Sequence, residues 1–178
     1  MAHASLRKPA VIVLSHLPSP LGNLHIASCD GAVCYLGFER KGYREDLYAY
    51  LGRYLKHFEV QTEKGEHASV HDQLVRYFAG RVKKFRVKTH LFGTEFQLQV
   101  WTALRSISYG STSSYRAIAD YIGNPDASRA VGQAVGRNPI SIVIPCHRVI
   151  GEDGALVGYA GGIERKKKLL RLEGALLV

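Results

Sequence analysis

Between Ala10 and Phe38, turn-forming residues recur so closely that no helix fits between them, and this spacing decides what the chain can begin to fold into. Pro18-Ser19-Pro20-Leu21-Gly22-Asn23 separates Val11, Ile12, Val13 and Leu14 from Leu24, Ile26 and Ala27, and Cys29-Asp30-Gly31 separates these from Val33, Tyr35, Leu36 and Phe38. The pieces left are short, rich in β-branched and aromatic residues, and joined by tight turns, so a small antiparallel sheet is expected. The pattern then changes period. Leu47, Tyr50, Leu51, Tyr54, Leu55 and Phe58 fall three and four apart, which predicts an amphipathic helix over Tyr43 to Phe58. Val70, Leu74, Val75 and Phe78 predict a shorter one over His67 to Phe78. The aromatic stripe reads as core packing. Arg81 to Lys88 holds Arg81, Lys83, Lys84, Arg86 and Lys88 and no acid; it reads as a solvated connector or an edge strand.

Near His90 to Gly93 the texture changes again, which sets residues 1–90 apart from residues 91–178 as two domains. Thr94 to Gln97 has the form of a capping box, with Thr94 at the N-cap and Gln97 three positions on. The stripe Phe96, Val100, Trp101, Leu104 and Ile107 extends that helix to just before Tyr109-Gly110. Ser114 is placed to cap a short helix through Ile118, Ala119 and Ile122. Gly123-Asn124-Pro125 stops it, and Asp126 is placed to cap a second one that runs through Val131, Ala134 and Val135. Two short helices around a tight turn form a helix-turn-helix. The fold class expected is therefore α+β: a small amino-terminal β-sheet domain with helices, then a mostly helical carboxy-terminal domain with a helix-turn-helix and a candidate active-site cysteine.

The 178 residues, 46% of them hydrophobic, suffice for one good core or two small ones. With 24 Lys and Arg against 15 Asp and Glu, the net charge of +9 concentrates anions, and nucleic acid is the first partner to consider. Three cysteines, Cys29, Cys34 and Cys146, are an odd number for a disulfide framework, and the reduced cytosol is the simpler home. Ala10 to Leu14 is too short for a signal-peptide core, and no run of about eighteen apolar residues occurs, so neither export nor membrane spanning is expected. Met1 to Arg7 reads as a tail without a role.

The chemistry concentrates late in the chain. Ile140 to Ile144 is apolar apart from Ser141 and leads into Pro145-Cys146-His147-Arg148-Val149-Ile150. Proline fixes the approach to a cysteine followed by two basic side chains, and positive or proton-accepting neighbours favour the thiolate that attacks. On an extended strand Cys146 and His147 would point to opposite faces, so contact requires a turn or a bridging water. From the residues alone, a reactive thiol and an inert buried cysteine stay equally open. Cys29 and Cys34, in the sheet and without His neighbours, read as fillers. In the second helix of the helix-turn-helix, Ala127, Ser128, Ala130, Gly132 and Gln133 surround one long cation, Arg129. Such a surface suits either a narrow groove with an arginine reaching between bases or close packing within the protein. Val157 to Gly162 is a glycine-rich loop unlike a nucleotide phosphate loop. A final helix over Glu164 to Leu172 offers Leu169, Leu170 and Leu172 for packing and Lys166 to Lys168 mostly to solvent, with Glu173 at its end.

Taken in order, these residues resemble the O6-alkylguanine-DNA alkyltransferase family. The resemblance rests on Phe96-Gln97, Val100-Trp101, Ser114-Tyr115, Gly123-Asn124-Pro125, Ala127 to Gly132, Asn138-Pro139, Ile144 to Ile150, Gly158 to Gly162, and Leu169-Leu170 with Glu173. Pro20-Leu21-Gly22 and Tyr77-Phe78-Ala79-Gly80 resemble the amino-terminal domain of bacterial members. The resemblance implies a single-turnover repair protein in which Cys146 takes the alkyl group from O6-alkylguanine, and also from O4-alkylthymine, in double-stranded DNA. It implies that His147 is the base through a water, that Glu173 orients His147, that Asn138 holds the turn, and that Tyr115 donates to the departing guanine and crowds a phosphate. Val135, Val149, Tyr159, Ala160 and Gly161 would form the guanine pocket. Ala127, Ser128, Ala130 and Gly132 would approach the minor groove while Arg129 fills the stack behind a flipped nucleotide. Ala160 stands where members have Ser, and Ser111 where members often have Glu. Lys166 resembles a family lysine near the pocket loop. No cofactor and no metal are expected, and a cytoplasmic monomer that binds no membrane is. A damage-binding module without transfer and a thiol hydrolase are the alternatives; the first typically lacks the cysteine, and the second would turn over repeatedly.

Overall fold

A computed structural model describes residues 9–62 and 65–176; the Met1 to Arg7 tail lies outside the described residues. Strands β1 (Ala10–Leu17), β2 (Leu24–Cys29) and β3 (Ala32–Phe38) form the expected antiparallel meander. Asp30 and Gly31 join β2 to β3 with φ of 50° and 68°, and two left-handed residues in a two-residue turn match the twist of the strands they connect. The helix expected to reach Phe58 is shorter. It is α1 (Tyr43–Gly52), and Phe58 opens a further strand, β4 (Phe58–Thr62), which pairs parallel to β1. The sheet is thus mixed, in the order β3-β2-β1-β4. Helix α2 (Ala68–Phe78) follows, burying Val70, Leu74 and Tyr77 and leaving Val75 in solvent.

The basic connector, residues 81–88, forms no strand. Thr89 alone makes a parallel bridge to Val33, and Pro139 to Ser141 run beside Leu36, so the outer edge of β3 is closed by backbone bonds. A free edge would offer unpaired groups to another chain.

The carboxy-terminal domain consists of α3 (Glu95–Leu104), α4 (Tyr115–Tyr121), α5 (Ser128–Gly136) and α6 (Ile163–Leu172), with β5 (Ser113–Ser114) beside β6 (Val149–Ile150). The Thr94 capping box is complete, and Ser114 accepts from the Ala117 N–H at 3.0 Å. Asp126 caps nothing. Pro125, with its φ already helical, begins a 3-10 turn through Ala127, and α5 starts after it with no side-chain cap. One large core runs through both domains, from Leu24, Leu36 and Phe38 through Leu74 and Tyr77 to Trp101, Val131, Ile144 and Leu169; a smaller one holds Ile12, Leu47, Leu51, Cys29 and Cys34. No helix among the described residues is long and apolar enough to cross a membrane.

Candidate active site

The segment that carries Cys146 is built by a turn. Ile142 has φ of 71° and is buried, a conformation that crowds a β-branched residue. Asn138 ties the segment together: its Oδ1 accepts from the Ile140 N–H at 3.0 Å, and its Nδ2 donates to the Ile144 carbonyl at 2.8 Å and to Cys146 Sγ at 2.9 Å. Cys146 to Arg148 form a 3-10 turn rather than a strand. Adjacent side chains still part company: Cys146 meets Asn138, while His147 reaches Glu173, with Nε2 2.8 Å from Oε1.

Burial pushes the Cys146 thiol above its ordinary range, against the pull of the Asn138 hydrogen bond and the Lys166 charge. The basic neighbours therefore do not make a resting thiolate, as the sequence suggested; desolvation outweighs them. Burial likewise lowers His147, against the carboxylate beside it, which favours a neutral imidazole. His147 Nδ1 is buried and meets no hydrogen-bond partner among the described residues.

Glu173 is the most heavily bonded group in the site. Oε1 accepts from His147, from the Tyr77 hydroxyl at 2.6 Å and from Arg148 at 2.9 Å, and Oε2 accepts from Arg148 Nε at 2.8 Å. Burial alone would raise its pKa, but the hydrogen bonds from His147, Arg148 and Tyr77 hold it at about 2. Arg148 also donates to the Ile107 carbonyl at 2.6 Å. Gly110, at φ 79°, is required where the chain passes this cluster, because a Cβ would lie 2.9 Å from the Glu173 carbonyl oxygen.

Lys166, expected in solvent, is fully buried. Its ammonium donates to the carbonyls of Val149 at 2.5 Å, Val157 at 2.7 Å and Gly158 at 3.4 Å, and burial draws its pKa down to about 8. It clamps the glycine-rich loop to β6. In Lys166→Met the three carbonyls lose their donor, and we expect a loss of about 1–3 kcal/mol in thermal unfolding, with earlier proteolytic cutting in the loop. An unchanged midpoint and cutting pattern would show that the clamp holds nothing.

The same loop carries Tyr159, Ala160 and Gly161. A side chain on Gly161 would lie 2.6 Å from the Tyr159 ring and 3.0 Å from Phe38, so the close packing there requires glycine. Tyr115 donates to the Val157 carbonyl at 3.3 Å and packs beside Gly132 of α5, and a Cys146 charge would push its hydroxyl upward after burial has done so. Val135 and Val149 are buried. On α5, Arg129 and Ala130 are exposed and Ser128 is half-buried, as is Ala127 just before it, so this face offers small side chains around one cation. Ser111 and Ala160 are both exposed. Among the described residues, no three His, Cys, Asp or Glu side chains gather into a metal-ligand set.

Sequence reasoning missed Tyr77 and Arg148 as partners of Glu173, and its solvent reading of Lys166 fails, while the resemblance that set Lys166 near the pocket loop agrees with its bonds to Val157 and Gly158. Lys166 had a signal: it stands three positions from Ile163 and three and four from Leu169 and Leu170, on the apolar stripe of α6.

Profiles of the 6-O-methylguanine DNA methyltransferase family match nearly the whole chain, the ribonuclease-like domain over residues 12–91 and the DNA binding domain over residues 95–175. A methylated-DNA--protein-cysteine methyltransferase of Mycobacterium leprae is 43% identical over 157 residues, 88% of this chain and 89% of the relative. The crystal structure of Mycobacterium tuberculosis O6-methylguanine methyltransferase superposes with a TM-score of 0.81 at 42% identity, covering 92% of this chain and 93% of that one. A crystal structure of Mycobacterium tuberculosis OGT in complex with DNA gives 0.80 at 42% identity, covering 93% of each chain. The chain belongs to the 6-O-methylguanine DNA methyltransferase family, whose members repair DNA by transferring the alkyl group to a cysteine of their own.

Proposed function

We propose that Cys146 is the acceptor, and that this protein removes the alkyl group from O6-alkylguanine, and from O4-alkylthymine, in double-stranded DNA, once per molecule. The observation that carries the reading is the buried Cys146 thiol, held by Asn138 and followed in the chain by a His147 whose imidazole is paired with Glu173. Sγ attacks the alkyl carbon, the carbon–oxygen bond breaks, and the electron pair leaves with the base. The thiol proton passes through a water to His147 Nδ1, whose lone pair is free because Nε2 faces Glu173. Tyr115 donates its hydroxyl to the departing guanine. Val135, Val149, Tyr159, Ala160 and Gly161 line the base, with the Ala160 backbone N–H serving where a serine hydroxyl would have.

A base in a duplex must leave the stack to reach a buried thiol. Ala127, Ser128, Ala130 and Gly132 approach the minor groove, and Arg129 fills the gap left behind. The relative seen with DNA supports this side of the reading. The proposal extends to a cytoplasmic monomer that needs no cofactor and no metal, with the domains divided after residue 90, as the two separate profile matches support. The test compares substrates. Arg129→Ala is expected to slow repair of duplex DNA by on the order of 10–100-fold, the cost of an unsupported stack, and to leave reaction with free O6-benzylguanine nearly unchanged. Equal losses on both would remove Arg129 from DNA handling. Duplex binding should also weaken as salt rises.

A further inference from the structure

We infer that Tyr77 is a positioning residue for the His147–Glu173 pair, so that the amino-terminal domain completes the proton relay of the carboxy-terminal one. This rests on the reading of Cys146 and His147 given above. The Tyr77 hydroxyl donates to Glu173 Oε1 at 2.6 Å, the same oxygen that faces His147 at 2.8 Å. Its ring is fully buried against Phe78, Phe85 and Tyr109, with centroid separations of 5.4, 5.2 and 6.2 Å, so the hydroxyl is held where it is. Phenylalanine would serve that packing equally well, and an idle hydroxyl costs free energy to bury. The phenol is therefore explained by the carboxylate it meets.

Three donors on one carboxylate oxygen make it a weak base. The proton between Glu173 and His147 then stays on Nε2, and Nδ1 keeps its lone pair for the proton the thiol gives up. A carboxylate that took that proton, or rotated, would leave His147 in the wrong tautomer or the wrong orientation. The other charged and titratable groups facing this pair are Arg148, Lys166, Tyr109 and Tyr159. All of them lie in the carboxy-terminal domain. Among the described residues Tyr77, on α2, is the one hydrogen-bond contribution to the pair from across the interface.

The test is the pH dependence of single-turnover methyl transfer from duplex DNA containing O6-methylguanine. Tyr77→Phe is expected to slow transfer at saturating duplex by about tenfold, the scale of one hydrogen bond to a charged group, with duplex affinity unchanged. The acid limb of the rate profile should move to higher pH, because His147 facing a more basic carboxylate holds its second proton more tightly. A 2,3-difluorotyrosine at position 77 is a stronger donor of nearly the same shape, and it should move the limb to lower pH. Opposite shifts from the two variants establish the role. An unmoved limb in both, whether the rate is normal or uniformly reduced, overturns it and leaves Tyr77 a packing residue. Should Tyr77→Phe fold poorly, the fluorinated protein alone decides by the same criterion. Methyl found elsewhere than Cys146 in the wild-type protein would instead overturn the underlying reading of the site.

Discussion

Cys146→Ala is expected to abolish methyl transfer while retaining the fold and the binding of damaged duplex. The thiol supplies the bond that forms, and no other group nearby replaces it: Cys29 and Cys34 sit in the smaller core, with the Cys34 thiol donating to the Ala27 carbonyl and pushed up to about 12 by burial. Loss of one buried sulfur should cost about 1 kcal/mol of stability, an ordinary effect for a small truncation. Wild-type protein mixed with excess O6-methylguanine duplex should gain the mass of one methyl, on Cys146, and restore an equal amount of guanine. Continued turnover would favour a thiol hydrolase, and residual transfer by Cys146→Ala would move the acceptor elsewhere.

The second large effect is on stability. Glu173→Ala should cost about 3–5 kcal/mol, because it leaves the Arg148 guanidinium buried without a carboxylate. A single domain is stable by about 5–15 kcal/mol, so much of the variant would melt at ordinary temperatures. The pH dependence has a definite sign. Glu173 titrates at about 2 in the folded protein against an ordinary 4.5, so its contribution is fully present above 4.5 and is lost as the pH falls toward 2. Urea unfolding of the wild type should weaken through that window, and Glu173→Gln should show a shallower decline. A glutamine variant with the wild-type stability and slope would mean that the carboxylate charge holds nothing together.

The turns of the amino-terminal sheet were legible because proline and glycine act locally. Strand β4 was not, because Leu55 and Phe58 also satisfy the helical spacing that ends in fact at Gly52. Asp126 looked like a cap until Pro125 began its own turn one residue earlier. In the site, the residues alone left a reactive and an inert Cys146 equally open, and it was the family resemblance that pointed to the chemistry, whereas the partners of Glu173 depended on folding. Tyr77 lies 96 positions before it in the chain, a separation that no local pattern spans. Lys166 was hidden in a run of basic residues and revealed by the face of the helix it shares.

The large core continues from the β-sheet through α2 into the helices around Cys146, and with it the two units of the sequence become one unit of cooperativity. The amino-terminal half keeps a small interior of its own around Ile12, Leu47 and Leu51, but Leu36 and Phe38 belong to the shared core, so loosening them is expected to be felt as lost order around the thiol. The two units are therefore expected to melt together, in one transition, rather than one after the other.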